Sequence, residues 1–225
     1  MGVNEPLINF VFTCDVNMED GVNQKIGTNE DVREAFKDWD PRIDKMLSYV
    51  DEVLEWRLYT HDEIPHWAHS LNKLVLIGDA AHAMTPYLAQ GAAVGIEDAA
   101  ILGGILSQPE YCTPAALPEA LGIYENLRIK RAAHVAENSV DSRWFTQMED
   151  GEEQRKRDEW LLAHPGIWEG HINIRSRKEF LDGLFGYDAY KVLDEALKEA
   201  RKGKESKAAF DTSVQVDARE IQSQA

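Results

Sequence analysis

The chain has 225 residues, with 24 basic against 40 acidic side chains and a formal net charge of −16. That length suits one large domain or two small ones, and so acidic a balance excludes a nucleic-acid partner, whose phosphates call for clustered Lys and Arg, and equally an anionic membrane surface. The two cysteines, Cys14 and Cys112, lie far apart without metal-ligand spacing, which argues against a disulfide framework and a zinc site and fits a reduced, cytoplasmic setting.

At the amino terminus no basic segment precedes an apolar one, so no secretory leader is expected. Residues 7–16, LINFVFTCDV, alternate apolar and polar positions and predict a half-buried antiparallel strand. Gly21 and Gly27 bracket a loop. Thr28 with Asp31 three residues on is a capping-box start for a helix with Val32, Phe36 and Trp39 along one face. Asp40-Pro41 ends it and opens another, where Ile43, Met46, Leu47 and Val50 recur at helical spacing. Residues 52–60, EVLEWRLYT, alternate again and predict a second strand. Trp39 and Trp56 read as core, and Arg57, His61 and His66 as solvated positions.

The stretch from Lys73 to Leu106 organises the rest. Leu74-Val75-Leu76-Ile77 is a short unbroken apolar run closed by Gly78-Asp79, which suits a strand of a parallel sheet buried on both faces. Small residues, Pro86 and Gly91 follow, and then Ile96, Ala100, Ile101 and Ile105 at helical spacing. The unit is strand, long loop, helix. Asp79, Glu97 and Asp98 interrupt its apolar character, so it does not read as a membrane span. A carboxylate at the end of a buried strand, with a loop feeding a helix amino terminus, is where doubly wound sheets hold ligands. Asp79 can accept hydrogen bonds from sugar hydroxyls, while the first N–H groups of the helix, at Gly91, Ala92 and Ala93, present partial positive charge and no side chain bulky enough to keep a flat ring away. An isolated Gly-Asp would equally be a turn cap.

Residues 107–118 hold three prolines and read as a loop, and a long helical pattern runs from Glu119 to about Met148 with Leu121, Tyr124, Leu127, Ala132 and Val135 near the helical period. Its Tyr124-Glu125-x-x-Arg128-x-x-Arg131 charges read as a solvated face supported by pairs such as Glu125 and Arg128. Glu152 to His164 reads as a charged helix, Phe180 to Asp188 as an aromatic segment, and Asp188 to about Lys202 as a last helix. From Gly203 the polar composition reads as frayed or disordered.

Gly78-Asp79-Ala80-Ala81-His82, Pro86 with Gly91 five residues later, and Ile96-Glu97-Asp98-Ala99-Ala100 together resemble the second flavin-binding motif of the FAD-dependent aromatic monooxygenases, in particular the fungal salicylate-hydroxylase-like group. Trp39-Asp40-Pro41, Trp56, Trp67, the YE-x-x-R-x-x-R helix and the Leu-Phe-Gly-Tyr-Asp-Ala of 184–189 match the same plan. The resemblance implies FAD as cofactor, NADH or NADPH as reductant and a small aromatic substrate. It places Gly78 and Asp79 at the ribityl or ribose hydroxyls, Pro86 and Gln90 in a loop beside the isoalloxazine, and Gly91, Ala92 and Ala93 at the pyrimidine edge. Tyr87 would face the substrate, with simple loop packing the other reading of Tyr87 and Gln90. His82 belongs to the framework; no catalytic side chain and no metal ligand is assigned.

Complete members of that group begin with a strand, a G-x-G-x-x-G turn and a helix that holds the FAD pyrophosphate, and this sequence has no such turn. The expected architecture is therefore mixed α/β and α+β: a partial substrate-binding domain with antiparallel strands over 1–70, the carboxyl-terminal part of a Rossmann-like FAD-binding domain over 71–150, and a helical tail over 151–225. The expected activity is hydroxylation of an aromatic ring by a truncated form, with a second chain supplying the missing FAD-binding half. The alternative is an inactive fragment or partner-docking module.

Overall fold

The computed structural model describes residues 9–14 and 18–223, with side chains through Ser206. The chain divides into two compact units, Met1–Leu58 and Tyr59–Ala225.

In the first unit, β1 (Gln24–Thr28) pairs antiparallel with β2 (Glu52–Trp56), Ile26 lying opposite Leu54. Between them stand α1 (Asn29–Ala35) and α2 (Pro41–Leu47). The capping box is present: the Thr28 hydroxyl accepts from the Asp31 N–H at 3.1 Å while the Asp31 carboxylate accepts from the Thr28 N–H at 3.1 Å, so two amides that the helix leaves unbonded are satisfied. Asp40 caps α2 by accepting from the Arg42 N–H at 2.9 Å, with Pro41 at the first helical position, where its missing N–H costs nothing. Asn29 Nδ2 donates to the Leu47 and Val50 carbonyls at 2.7 and 2.6 Å and ties the start of α1 to the end of α2.

Three expectations change here. The strand expected over 7–16 falls partly outside the described residues, and 9–14 carry no regular structure, Phe12 instead packing on the buried Phe36 at 4.8 Å. The bracket between Gly21 and Gly27 contains β1, because Gln24–Thr28 finds a long-range partner in β2 that local composition does not show. Trp39 and Trp56, expected in the core, are 61% and 52% exposed.

In the second unit, residues 74–77 form no regular strand and have no parallel neighbour among the described residues. Their backbone pairing is an antiparallel bridge of Val75 to Ala68, with His69 N–H donating to the Leu74 carbonyl and Leu76 N–H to the Trp67 carbonyl, each at 2.9 Å. Leu74 is 58% and Ile77 43% exposed, so the segment lacks the two buried faces its composition implies. A one-turn helix α3 (Asp79–His82) follows, then α4 (Gly91–Leu106), α5 (Leu117–Thr146), α6 (Glu152–Ala163), α7 (Lys178–Phe185) and α8 (Ala189–Ser223). The backbone is thus helical through Ser223, where the composition suggests fraying.

The core of this unit is a seam of helix faces. Val94, Ile101 and Ile105 of α4 meet Ala120, Tyr124, Ala132 and Val135 of α5, with Leu193 and Leu197 of α8 closing the seam. The approach of α8 is so close that a Cβ on Gly104 would overlap the Leu193 side chain, whereas one on Gly103 would meet nothing. A Gly104→Ala substitution is therefore expected to destabilise the protein by roughly 1–3 kcal/mol through overpacking. Gly103→Ala should be neutral or stabilising by about 0.5–1 kcal/mol, because a helix-interior glycine loses entropy on folding. Urea unfolding of the two variants checks the contrast.

Candidate functional site

The turn after Ile77 depends on Gly78, whose φ of 56° with ψ of −143° is a conformation that side chains resist. Its N–H donates to Asp98 Oδ2 at 2.9 Å, and its Cα lies 3.5 Å from where a Cβ on Gly95 would stand. The turn is thereby pressed onto α4. One consequence is the position of Asp79: its Oδ1 lies 3.9 Å from where a Cβ on Gly91 would stand, so an exposed carboxylate faces the opening of α4 across a space that a side chain at 91 would fill.

No side chain caps the amino end of α4, where Gln90 occupies the N-cap position. Ala92 is exposed, and Gly91 and Ala93 are partly so. The loop between α3 and α4 makes a short 3-10 turn over Pro86–Leu88 and passes through Ala89 in the left-handed region at φ 54°. It is anchored to α5: Thr85 and Ser139 share a hydroxyl–hydroxyl bond of 2.8 Å, the Ser139 hydroxyl donates to the Thr85 carbonyl at 2.6 Å, and Ser142 donates to the Tyr87 carbonyl at 3.4 Å. Pro86 is exposed, and Tyr87 and Gln90 are half-buried. All eight residues singled out from the sequence, Gly78, Asp79, Pro86, Tyr87, Gln90, Gly91, Ala92 and Ala93, thus lie on one turn, one anchored loop and one helix opening.

Beneath this surface lies a charged network whose α5 members, Glu125, Arg128 and Arg131, the sequence reading placed in solvent. Asp98 is fully buried and accepts from Gly78 N–H, from Arg128 Nε at 2.8 Å and from His82 Nε2 at 2.6 Å. Arg128, also fully buried, further donates to Glu97 at 2.8 Å, to the Val94 carbonyl at 3.2 Å and to the Tyr187 hydroxyl at 3.0 Å. Arg131 adds bonds to Glu97 and to the Gly183 and Leu184 carbonyls, and its guanidinium sits 4.5 Å from the Tyr187 ring. Glu125 does not pair with Arg128: its Oε1 accepts the Trp67 and Ala68 N–H groups at 2.5 and 2.9 Å. The YE-x-x-R-x-x-R charges are interior fasteners, and the correction has a readable signal. Asp98 falls in step with Val94, Ile101 and Ile105 on the buried stripe of α4, as Arg128 does with Tyr124, Ala132 and Val135 on α5, and a charge on an apolar stripe must find its counter-charge there.

Burial pushes the Asp98 carboxyl up, but hydrogen bonds from His82, Arg128 and the Gly78 amide outweigh burial and hold it below the ordinary aspartate value. His61, read as a surface position, accepts the Ala83 N–H at its Nε2, 3.2 Å away, and so helps close the end of α3. Among the described residues no cluster of His, Cys, Asp and Glu could hold a metal ion, and no helix is long and apolar enough to cross a membrane.

With this geometry in view, comparison with known proteins is informative. Residues 4–139 match the family model described as FAD binding domain. The chain is similar to FAD-dependent monooxygenase OpS4 of Beauveria bassiana (strain ARSEF 2860), 32% identical over 190 residues, which cover 84% of this chain and 44% of that protein. It is also similar to the 6-hydroxynicotinate 3-monooxygenase of Pseudomonas fluorescens, 38% identical over 123 residues, covering 55% of this chain and 31% of the other. Among solved structures, a salicylate hydroxylase in complex with substrate superimposes with a TM-score of 0.62 at 23% identity, over 81% of this chain and 40% of that one, a likeness of fold. The chain spans less than half the length of these relatives.

Removing the Asp98 charge leaves Arg128 buried without its main partner, so Asp98→Asn should cost roughly 3–5 kcal/mol. Because the folded-state value of Asp98 is depressed, its contribution is fully present above the unfolded aspartate value of about 3.9 and is lost as pH falls through the lower folded value. Unfolding free energy measured between pH 6 and 2 should therefore fall less steeply in Asp98→Asn than in the parent protein.

Proposed function

Since the chain belongs to the FAD binding domain family, we propose that it forms the ring-side part of the flavin site of an FAD- and NAD(P)H-dependent monooxygenase acting on a small aromatic substrate, salicylate-hydroxylase-like in type. The observation that carries this reading is the Asp79 carboxylate set against the uncapped opening of α4, with a glycine at 91 where any side chain would enter the space between them. That cradle fits a flavin. Asp79 would accept hydrogen bonds from its sugar-alcohol hydroxyls, Gly91, Ala92 and Ala93 would lie against its pyrimidine edge, and the helix amino end would favour negative charge there by roughly 0.3–1 kcal/mol. Pro86 and Gln90 would line the ring, and Tyr87 would face the substrate from a loop whose backbone α5 holds in place. The chemistry that FAD supplies when bound is acceptance of hydride from NADH or NADPH and transfer of one oxygen atom from dioxygen to an electron-rich ring. With only two cysteines in 225 residues, the same reading extends to a reducing, cytoplasmic setting.

A second reading rests on residues 74–77, where the exposed Leu74 and Ile77 stand beside backbone groups of Val75 and Ile77 that have no hydrogen-bond partner among the described residues. An apolar edge of that kind recruits a strand, and we propose that a polypeptide carrying the glycine-rich half pairs there and completes the cofactor site. Titrating FAD into the purified chain, alone and with such a polypeptide from a relative, tests both readings by visible absorbance. A yellow complex is expected with the complementing segment, weakened about tenfold, equivalent to 1.4 kcal/mol, by Asp79→Ala and abolished by Ile77→Lys. Flavin binding indifferent to Asp79→Ala would refute the site assignment, and failure of the complemented mixture to bind flavin would refute the proposed function.

A further inference from the structure

A cleft of about 520 Å³ opens between residues 60–64 with Trp67, the end of α3 with the start of its loop, and α5. None of the eight flavin-side residues lines it. On α5 it is lined by the apolar Ile129, Ala133, Ala136 and Val140 together with Glu137, and Met84 lines it from the loop after α3. Asp62, Glu63 and Glu137 stand along it, exposed, and none of the three carboxylates has an ion-pair partner among the described residues, nor does any Lys or Arg line the cleft. Both nitrogens of His61, a fourth polar neighbour, are already engaged, Nδ1 with the Asp62 carbonyl at 2.8 Å and Nε2 with the Ala83 N–H.

Trp67 and His82, 3% and 5% exposed, also line this cleft, and they carry the two buried side-chain polar atoms that lack a hydrogen-bond partner among the described residues, Trp67 Nε1 and His82 Nδ1. A buried polar atom left unpaired is costly, and each one in a folded protein calls for an explanation, a bound group being one. Their chemistry is complementary. The indole N–H can only donate, and in the tautomer that gives Nε2–H to the Asp98 carboxylate, His82 presents Nδ1 as an acceptor. The two rings lie 5.4 Å apart between centroids, and a hydroxyl reaching both would accept from Trp67 and donate to His82.

We propose that this cleft binds a phenolic amine: hydroxyl at Trp67 and His82, aromatic ring between Met84 and the α5 wall, and ammonium group at Asp62, Glu63 and Glu137. Both floor atoms are buried, so entry of the hydroxyl goes with a side-chain rotamer change of the kind common on binding. The site is separate from the flavin-side residues and stands whether or not FAD binds.

Calorimetric titration of the 225-residue chain without flavin tests it, using tyramine, 2-phenylethylamine, which lacks the hydroxyl, and 3-(4-hydroxyphenyl)propanoate, which exchanges the ammonium for a carboxylate. Tyramine should bind saturably and at least about tenfold more tightly than either analogue. Trp67→Phe should weaken tyramine several-fold and leave 2-phenylethylamine unchanged. Glu137→Gln should weaken both amines, whereas Glu199→Gln, a surface charge outside the cleft, should weaken neither. Circular dichroism confirms that each variant keeps the parent helix content. Absence of saturable tyramine binding overturns the proposal, as does equal affinity for the propanoate or an equal effect of Glu137→Gln and Glu199→Gln.

Discussion

The ion pair between Asp98 and Arg128 is the constraint on which the second unit turns. Both side chains are fully buried, and each satisfies several groups at once: Asp98 takes the Gly78 amide, the His82 ring and the guanidinium, while Arg128 reaches Glu97, a helix carbonyl and the Tyr187 hydroxyl. A buried pair is costly to desolvate and adds little net stability compared with well-packed apolar groups. What it contributes here is register. The Asp98 carboxylate can receive Arg128, Gly78 and His82 together only when α4, α5 and the turn before α3 stand in one arrangement, so a slip of any of them strands a charge in the interior.

The position of the candidate site follows from that arrangement. Gly78 is held in a conformation few residues adopt, and the turn it makes delivers the Asp79 carboxylate to the opening of α4. Serines of α5 fix the backbone of the following loop from below. The exposed residues that would meet a ligand, Asp79, Pro86 and Ala92, therefore stand on buried fasteners, Asp98 under the turn and Ser139 and Ser142 under the loop. This division explains why the loop has few hydrogen bonds of its own and yet a defined course.

His82 joins the two faces of α3. Its Nε2 belongs to the Asp98 network under the Gly78 turn, its Nδ1 has no partner among the described residues, and the residue also lines the cleft. Met84 does likewise by packing, its side chain lying 3.8 Å from where a Cβ on Gly91 would stand while also lining the cleft. A group entering the cleft would meet Met84, which also stands near the opening of α4, so His82 and Met84 are the physical link between the two places.

The sequence by itself determined what short-range chemistry decides. Thr28 and Asp31 close a capping box whatever surrounds them, Pro41 opens a helix, and the spacing of Ile101 and Ile105 or of Leu121 and Tyr124 fixes which helix faces turn inward. The ordered glycines, proline and carboxylates of 78–100 were legible in the same way, as a turn, a loop and a helix opening. Only the tertiary structure decided what depends on distant partners: that Gln24–Thr28 is a strand, that Arg128 and Glu125 face the interior, that Trp39 and Trp56 do not, and that Trp67 and His82 share a cleft floor. The physical reason is that a side chain's environment is set by whichever element packs against it, and for Arg128 that element lies thirty positions away, in the carboxylate at Asp98.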